Sequence, residues 1–372
     1  MREDVFHLSI SYEDLSCDEW SSKLLRWYDN HRRDLPWRTT HDPYRIWVSE
    51  IILQQTRVAQ GLDYYHRFLK AFPTVEHLAN ATEDQVMKLW QGLGYYSRAR
   101  NMQYAARQIV ANGCFPDTYD GVRKLKGVGD YTAAAICSFA FGLPCAVVDG
   151  NVYRVLSRFF GEGTPIDTTI GKKRFAALAQ RLLPEARLAD YNQALMDFGA
   201  MQCTPSSPDC ASCPLMDACA AHSLHKVDDL PIKNHKNKQK DRYFTYIIIC
   251  SDSDLWIRKR SGNDIWKGLY EFPLLESVKE SSINDVMSHP LVEGLLKQGA
   301  ELKLLARNLK HILTHIKIHA DAYLMEWHGQ LPTAPHDYLS ISKNELEHFA
   351  MPRLAEIIAG KAHLLPNTQR ER

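Results

Sequence analysis

The hydrophobic pattern of this chain changes near residue 226, and that change constrains the fold more than any other feature. Before it, apolar residues recur at helical spacing, as in WVSEIILQQTRV and DQVMKLW, and continuous β-branched runs are few. After it come short runs rich in β-branched and aromatic residues, among them YFTYIIIC, DLWIRKR and HIKIHADAYLMEW. The pattern predicts an all-α domain followed by a smaller α+β domain, with two helices in the latter near residues 283–298 and 343–360.

The segment KVDDLPIKNHKNKQKDR between the two parts is polar, strongly basic and without periodicity, which is typical of a linker. We therefore expect a helical domain over residues 1–226, a basic linker over 227–242 and an α+β domain over 243–368. A chain of 372 residues is long enough for two domains that each have a core.

Bulk properties exclude few classes of protein. A net charge of +1 neither supports nor excludes a nucleic-acid partner, because acidic residues can offset a basic face. No stretch approaches the roughly 18 apolar residues that a membrane helix needs. The N-terminus MREDVFHLSISYEDLSCDEW is acidic where a signal or transit peptide would be basic and apolar. We expect an intracellular, cytoplasmic protein without a membrane partner, in which the nine cysteines are thiols or metal ligands.

Four of the cysteines crowd into the segment CTPSSPDCASCPLMDAC, at the spacing C-x6-C-x2-C-x5-C. Cys203, Cys210, Cys213 and Cys219 would form a soft tetrahedral set of thiolates, which suits zinc or an iron–sulfur cluster. Zinc usually takes two closely spaced pairs, and only Cys210 and Cys213 form one. The spacing favours a cluster and leaves zinc open.

The segment LKGVGDYTAAAI predicts a glycine turn followed by a helix that begins near Asp130. Gly127 and Gly129 allow a tight turn, and the free N–H groups at such a helix start can bind a phosphate. The alternative is an ordinary helix–turn–helix corner, which Asp130 favours because a carboxylate repels phosphate. A nucleotide-binding glycine loop is disfavoured, since no strand precedes the turn and no Lys-Ser/Thr pair follows it.

Two carboxylates are candidates for chemistry. Asp149 precedes the helical segment NVYRVLSRFF, so it is an N-cap, a catalytic carboxylate held ionised by the helix, or both. Glu50 lies in the middle of the apolar face of YRIWVSEIILQQTRV, where burial would raise its pKa and keep a proton available, unless an arginine pairs with it. One protonated and one ionised carboxyl group are what glycosidic bond cleavage requires.

These segments together resemble the helix-hairpin-helix DNA glycosylases of the endonuclease III superfamily. LPWR at 35–38, WVSEIILQQT at 47–56, GLGYYSRARN at 92–101 and LPIK at 230–233 narrow the resemblance to the adenine DNA glycosylases, the MutY family. It covers nearly the whole chain. It implies a [4Fe–4S] cluster in the loop at 203–219 and, as partner, double-stranded DNA with adenine opposite 8-oxoguanine or guanine. We expect a monomer that acts on DNA.

The resemblance implies that the mispaired adenine is flipped into a pocket and excised, at a flipping cost that a mismatch lowers. Glu50 would protonate the adenine ring. Asp149 would stabilise the oxocarbenium-like sugar or bond to it briefly, with Asn151 as a supporting polar residue. The other residues carried over are two walls of the adenine pocket, Trp37 and Arg38, and two residues that wedge into the base stack, Gln55 and Tyr95.

Tyr131 predicts how the reaction ends. In lyase-type relatives this position carries a lysine that forms a Schiff base with the sugar and cuts the strand. A tyrosine has no amine and cannot do so. We therefore expect a monofunctional glycosylase that removes a base and leaves the DNA backbone whole.

The C-terminal part resembles the Nudix-like module of the same family, with WKGLYEFP as its clearest remnant. The segment LLESVKESSINDVMSHP lacks the Arg-Glu and paired-glutamate pattern that holds magnesium in a Nudix hydrolase, so recognition of the opposite guanine is the implied role. Thr314 and His315 would contact the DNA there. The family has a Phe-Ser-His loop, and this chain has Leu313-Thr314-His315, which keeps the hydroxyl and loses the aromatic ring.

Two alternatives remain. An endonuclease III-like glycosylase for oxidised pyrimidines is disfavoured by Tyr131 and by the additional domain. A catalytically silent iron–sulfur protein that binds DNA is disfavoured because Glu50 and Asp149 are both present.

Overall fold

The structure, a computed structural model, describes residues 17–234 and 239–366. Parts of all three predicted segments lie outside the described residues, namely 1–16, 235–238 of the linker, and 367–368. The described residues form two units: those within Met1–Glu76 and Tyr104–Lys236 belong to the first, and those within His77–Gln103 and Asn237–Arg372 to the second. The sequence pattern gives no sign that His77–Gln103 groups with the C-terminal residues, and the predicted domain boundaries stay a prediction.

Helices and irregular segments account for the chain up to residue 234, and no β-strand occurs among residues 17–234. In chain order the α-helices are α1 (Cys17–His31), α2 (Pro43–Leu53), α3 (Val58–Ala71), α4 (Val75–Asn80), α5 (Glu83–Trp90), α6 (Ser97–Asn112), α7 (Tyr119–Arg123), α8 (Asp130–Phe141), α9 (Gly150–Phe160), α10 (Thr169–Arg181), α11 (Leu188–Asp197) and α12 (Ala220–Ser223). A 3-10 turn at Pro36–Arg38 precedes α2, a π-helix at Phe198–Gln202 follows α11, and a second 3-10 turn spans Met216–Ala218. No helix in the described ranges is long and apolar enough to cross a membrane.

A core of aromatic and aliphatic side chains joins α1, α9, α10 and α11 in the first unit. Trp20 of α1 is fully buried against Phe159 of α9, with ring centroids 4.4 Å apart. Its indole N–H donates to the hydroxyl of Tyr191 on α11 at 2.8 Å, so the polar atom of the buried ring is satisfied. This core fixes α9, whose N-terminus forms part of the site described below.

The second unit contains one mixed sheet. Its strands are β1 (Lys240–Cys250), β2 (Asp254–Lys259), β3 (Tyr270–Glu271), β4 (Leu274–Ser277), β5 (Glu301–Ile312), β6 (Ile316–Glu326) and β7 (Leu339–Ser342). The order is β3-β2-β1-β6-β5, with β4 paired to β1 and β7 paired to β2. β1 and β6 run parallel from Lys240 opposite Ile316 to Cys250 opposite Glu326, and β5 and β6 form an antiparallel hairpin.

The central strand β1 is buried on both faces, which explains its continuous apolar run. Tyr246 and Ile248 face a core that includes α15 (Arg353–Lys361). Ile247 and Ile249 face a second core that includes α13 (Ile283–Met287) and α14 (Pro290–Leu296). Helices therefore cover the two faces of the sheet.

The structure corrects both helices predicted for this part. The helix at 283–298 is divided into α13 and α14, because Pro290 begins a new helix with His289 as its N-cap. The helix at 343–360 is a 3-10 segment at Lys343–His348 followed by α15, because Pro352 lacks the N–H that a continuous helix would need.

Helix α5 and the start of α6 contact the sheet within the second unit. The Lys259 ammonium lies 2.6 Å from the Asp84 carboxylate, and the Tyr270 hydroxyl donates to the same group at 3.1 Å. Gly268, at φ +82°, faces α5 so closely that a Cβ atom would lie 2.6 Å from Oε1 of Glu83. These contacts attach residues 77–103 to strands more than 150 residues later in the chain.

Candidate active site

Three elements of the first unit bring two carboxyl groups and a phenol together. Glu50 lies on α2, Tyr131 in the first turn of α8, and Asp149 at the N-cap of α9. The Tyr131 hydroxyl donates a hydrogen bond to the Glu50 carboxylate, and the charge of Asp149 acts on both groups. Helices α2 and α8 are also joined by the Gln54 amide, which donates to the Thr132 hydroxyl at 3.2 Å. The sequence brings these residues together only through the packing of the helices.

Glu50 is 6% exposed, in the middle of the apolar face of α2. Burial raises the pKa of Glu50 to about 7, and the charge of Asp149 acts in the same direction. The hydrogen bond from Tyr131 and the charge of Arg38 oppose that rise. No ion pair joins Glu50 to a lysine or arginine within the described residues, so the carboxyl group can hold a proton near neutral pH.

Asp149 is the N-cap of α9. Its carboxylate accepts hydrogen bonds from the backbone N–H groups of Asn151 and Val152, both at 2.8 Å, and from the Asn151 side-chain amide at 2.9 Å. Burial raises the pKa of Asp149 above its ordinary value, whereas these hydrogen bonds and the charge of Arg154 favour the ionised form. The N-cap geometry and a chemical role are compatible, because the same donors that cap the helix also orient the carboxylate.

The Tyr131 phenol stays protonated. Burial and the nearby charges of Glu50 and Asp149 raise its pKa well above the ordinary value. At neutral pH the group is therefore a hydrogen-bond donor, and it carries no amine for Schiff-base chemistry.

The glycine turn lies between α7 and α8. Gly127 adopts φ +78°, and Gly129 is the N-cap of α8, with no heavy atom within 4 Å of the position that a Cβ atom would take. The backbone at this helix start is consequently open to a ligand such as a phosphate. Asp130 pairs with Arg123 at 2.5 Å, and Arg123 also donates to the Val128 carbonyl at 2.9 Å, so the charge of Asp130 is offset locally.

Arg38 is held by a carboxylate that the sequence analysis did not single out. Asp197, at the end of α11, is fully buried and accepts two hydrogen bonds from the Arg38 guanidinium, at 2.6 and 2.8 Å. Arg33 also pairs with Asp197. Trp37 is 8% exposed and packs edge-on against Tyr65 at 5.2 Å. The sequence signal for Asp197 is a carboxylate within the apolar run ALMDFGAM.

The two residues predicted to wedge into DNA share an uncommon backbone. Gln55 adopts φ +59° and is exposed, and Tyr95 adopts φ +46° with 48% of its surface exposed. Non-glycine residues rarely adopt such angles, and they do so most often where a side chain must be presented in one direction. Gln55 belongs to the first unit and Tyr95 to the second.

Within the second unit, Tyr95 meets the predicted lesion-reading loop. The hydroxyl groups of Tyr95 and Thr314 lie 2.5 Å apart. Thr314 and His315 are exposed at the turn between β5 and β6, whereas Leu313 packs against the apolar core. Two residues carried over separately from the family resemblance are thus in direct contact.

The four cysteines of the loop are free thiols that are partly exposed. Arg158 of α9 donates to the Cys203 sulfur at 3.4 Å and to the Thr204 carbonyl at 2.7 Å, which fixes the start of the loop. Burial raises the pKa of Cys213 to about 11, and the charges of the other three thiolates act in the same direction. Within the described residues no three His, Cys, Asp or Glu side chains converge on a point where one metal ion would bind.

Comparison with known proteins agrees with this geometry. Residues 48–184 match the family described as HhH-GPD superfamily base excision DNA repair protein, and residues 244–360 match the NUDIX domain family. The predicted order of a helix-hairpin-helix glycosylase domain and a Nudix-like domain is confirmed by these two matches.

The curated relatives agree with both matches. The adenine DNA glycosylase of Buchnera aphidicola subsp. Acyrthosiphon pisum (strain APS) is 36% identical over 269 residues, which are 71% of this chain and 76% of that protein. The adenine DNA glycosylase of Buchnera aphidicola subsp. Baizongia pistaciae (strain Bp) is 34% identical over 303 residues, 80% of this chain and 83% of that protein. Among solved structures, a thermostable thymine-DNA glycosylase superposes with a TM-score of 0.52 and 32% identity, over 56% of this chain and 97% of that one. With both matches in place and relatives that span most of its length, this chain belongs to the adenine DNA glycosylase family, and it is a DNA glycosylase that acts on DNA.

Proposed function

We propose that the protein hydrolyses the N-glycosidic bond of adenine in duplex DNA where that adenine lies opposite 8-oxoguanine or guanine. The observation that carries the proposal is the buried Glu50 carboxyl group, whose pKa of about 7 keeps it protonated near neutral pH beside the hydrogen-bonded Asp149. Paired carboxyl groups with different proton affinities are suited to breaking a glycosidic bond.

In the proposed reaction Glu50 gives its proton to a ring nitrogen of the flipped adenine. The electron pair of the C–N bond then leaves with a neutral base rather than an anion. The sugar is left with positive charge at C1′, which the Asp149 carboxylate stabilises by charge or by a transient bond. Water adds to C1′ and loses its proton to Glu50, which restores the acid. Asn151 supports Asp149 through its side-chain amide.

We propose further that the reaction stops at the abasic site. The support is Tyr131, which occupies the position of the lyase lysine and donates to Glu50 through its hydroxyl group. That hydrogen bond orients the acid without supplying a nucleophile.

The four thiols of residues 203–219 fit a [4Fe–4S] cluster better than one zinc ion. A cluster binds each thiolate on a different iron, so its ligands stand farther apart than the four ligands of a single ion, in agreement with thiols that do not converge on one point. When bound, the cluster would tie the loop together. Cys203, Cys210, Cys213 and Cys219 would hold it.

We assign reading of the opposite base to the loop at 313–315, in which the Thr314 hydroxyl and His315 are exposed. Gly127 and Gly129 are assigned to a backbone phosphate. Trp37 and Arg38 are assigned to the adenine pocket, and Gln55 and Tyr95 to the base stack.

One experiment tests the assignment. The purified protein is incubated under single-turnover conditions with duplexes that carry A opposite 8-oxoguanine, A opposite G, or thymine glycol opposite A, each with and without alkali. We expect adenine release from the first two duplexes and strand breaks only after alkali. Cleavage of the thymine glycol duplex alone would show a pyrimidine glycosylase, and binding without release of any base would show a silent DNA-binding protein. Asp149→Asn should bind the mispair and release no adenine.

A further inference from the structure

The loop at 313–315 is a short turn between β5 and β6 whose backbone is well held. The Leu313 N–H donates to the Ile316 carbonyl at 2.8 Å, and the Lys240 N–H donates to the His315 carbonyl at 2.9 Å. The Gln239 side chain donates to the Leu313 carbonyl at 3.0 Å. The hydroxyl of Thr314 meets that of Tyr95. The turn is therefore a fixed point of the second unit from which neighbouring side chains project in defined directions.

Lysines surround this turn. Across the hairpin Lys310 is opposite His319, and Ile312 is opposite Lys317. Alternate residues of a strand point to the same face, so Lys310, Ile312, Lys317 and His319 share one face of the sheet. Lys240, at the start of β1, lies beside the turn through its hydrogen bond to His315. Lys240, Lys310 and Ile312 are exposed, and Lys317 is half-buried.

The charge of these lysines is not offset. Residues 302–320 contain no aspartate or glutamate. The acid nearest in register, Asp241 opposite Lys317, is bonded to the His319 ring at 2.6 Å. In the described part of the chain no ion pair involves Lys240, Lys310 or Lys317.

Basic residues elsewhere in this unit are paired. Lys303, at the far end of β5, lies 2.7 Å from Glu326 and 3.3 Å from Glu301. Arg242 pairs with Asp264 at 2.6 Å and with Glu276 at 2.5 Å. A group of unpaired cations confined to the turn produces a local positive potential, which attracts a polyanion although the whole chain is nearly neutral.

We infer that Lys240, Lys310 and Lys317 form a phosphate-binding surface for the backbone of the DNA strand whose base the Thr314 turn reads. The inference rests on the proposed function, which places that turn against the base opposite adenine. Phosphate contacts position a protein on DNA, whereas contacts to base edges give specificity. The three lysines would hold the strand, and Thr314 would distinguish 8-oxoguanine from guanine.

The test compares the full-length wild type with the triple variant Lys240→Gln/Lys310→Gln/Lys317→Gln. The probe is a duplex that carries 2′-fluoro-2′-deoxyadenosine opposite 8-oxoguanine, or opposite G, because the fluorine prevents base loss. Dissociation constants are measured between 50 and 200 mM salt. Each lost phosphate contact reduces the slope of log K against log salt by about 0.9, so the affinity advantage of the wild type should shrink roughly 40-fold over this range.

Two controls separate phosphate binding from base reading. Lys303→Gln removes a lysine that is already paired on the same strand, and it should leave the slope unchanged. Thr314→Ala should change the ratio of affinities for the 8-oxoguanine and guanine duplexes and leave the slope unchanged, whereas the triple variant should keep that ratio. The single-turnover rate of adenine release at saturating enzyme should be the same in the triple variant and the wild type.

An unchanged slope in a folded triple variant would overturn the inference, as would an equal change in Lys303→Gln. Failure of the proposed function has a different signature: the wild type would release no adenine from a cleavable duplex. A lysine-dependent slope together with that result would leave the phosphate surface in place and remove only its connection to adenine excision.

Discussion

Replacing Glu50 by glutamine should stabilise the first unit above pH 7, although it removes the proposed catalytic acid. Folding takes this carboxyl group from water to a site where it is 6% exposed, and its pKa rises from the ordinary value of 4.5 to about 7. The folded state therefore binds the proton more tightly than the unfolded state. Stability is highest below pH 4.5, falls as pH rises from about 4.5 to 7, and is flat above that range.

The size of the effect follows from the two pKa values. At 1.36 kcal/mol for each pH unit between them, an ionised Glu50 lowers the free energy of unfolding by roughly 3 kcal/mol at pH 8. Glutamine has a similar shape, stays neutral, and can still accept the hydrogen bond from Tyr131. For a unit of this size, 3 kcal/mol corresponds to a rise in Tm of roughly 6–12 °C.

Glu162 is a matched control because it is also 6% exposed and its pKa is shifted the other way. Burial raises the pKa of Glu162, but hydrogen bonds from Thr164 and an ion pair with Arg174 at 2.5 Å outweigh it, so the net pKa is below the ordinary value. Its stabilising contribution is present above the unfolded pKa and is lost as pH falls. Glu162→Gln should therefore lower Tm at pH 8.

The assay is thermal unfolding of wild type, Glu50→Gln and Glu162→Gln at pH 5 and pH 8, followed by tryptophan fluorescence. The quantity compared is the change in Tm between the two pH values for each variant relative to wild type, since effects that do not depend on pH cancel. Opposite signs for the two variants are expected. If Glu50→Gln gains no stability at pH 8 relative to pH 5, the carboxyl group is not desolvated and the proposal that Glu50 stores a proton is wrong.

Three further predictions follow from the same site. The value of kcat/KM for adenine release should fall about tenfold per pH unit above pH 7, because only the protonated Glu50 acts as an acid; a profile flat to pH 9 would contradict this. Tyr131→Lys should gain amine-dependent nicking that borohydride traps as a covalent complex, whereas strong trapping of the wild type would identify a different lysine as a lyase residue. Thr314→Ala should lower the preference for 8-oxoguanine over guanine by roughly 5- to 100-fold, the loss of one hydrogen-bonding contact, and Tyr95→Phe should show whether the bond between the two hydroxyl groups is needed.

Local features of the site could be predicted from the sequence. The position of Asp149 before an amphipathic segment predicts an N-cap, and the place of Glu50 on an apolar face predicts burial; both hold in the structure. The separation of helical and β-rich parts was equally visible in the hydrophobic period.

Contacts between distant residues could not be predicted in this way. The bond from Tyr131 to Glu50, the two arginines on Asp197 and the contact of Tyr95 with Thr314 depend on how helices and strands pack, and no local pattern encodes that packing. The absence of acids over residues 302–320 was visible in the sequence. Its meaning required the hairpin register, which places the lysines around one turn.

The grouping of residues 77–103 with the C-terminal sheet has a consequence for synthesis on the ribosome. Helix α5 leaves the ribosome early, but its partners Lys259, Gly268 and Tyr270 are translated more than 150 residues later. At about 5–20 residues per second, the nascent chain carries this segment without its partners for roughly 10–40 s. The fully buried Trp90 and Met87 would be exposed during that time. A chaperone that binds apolar helices would therefore be expected to act on this segment first.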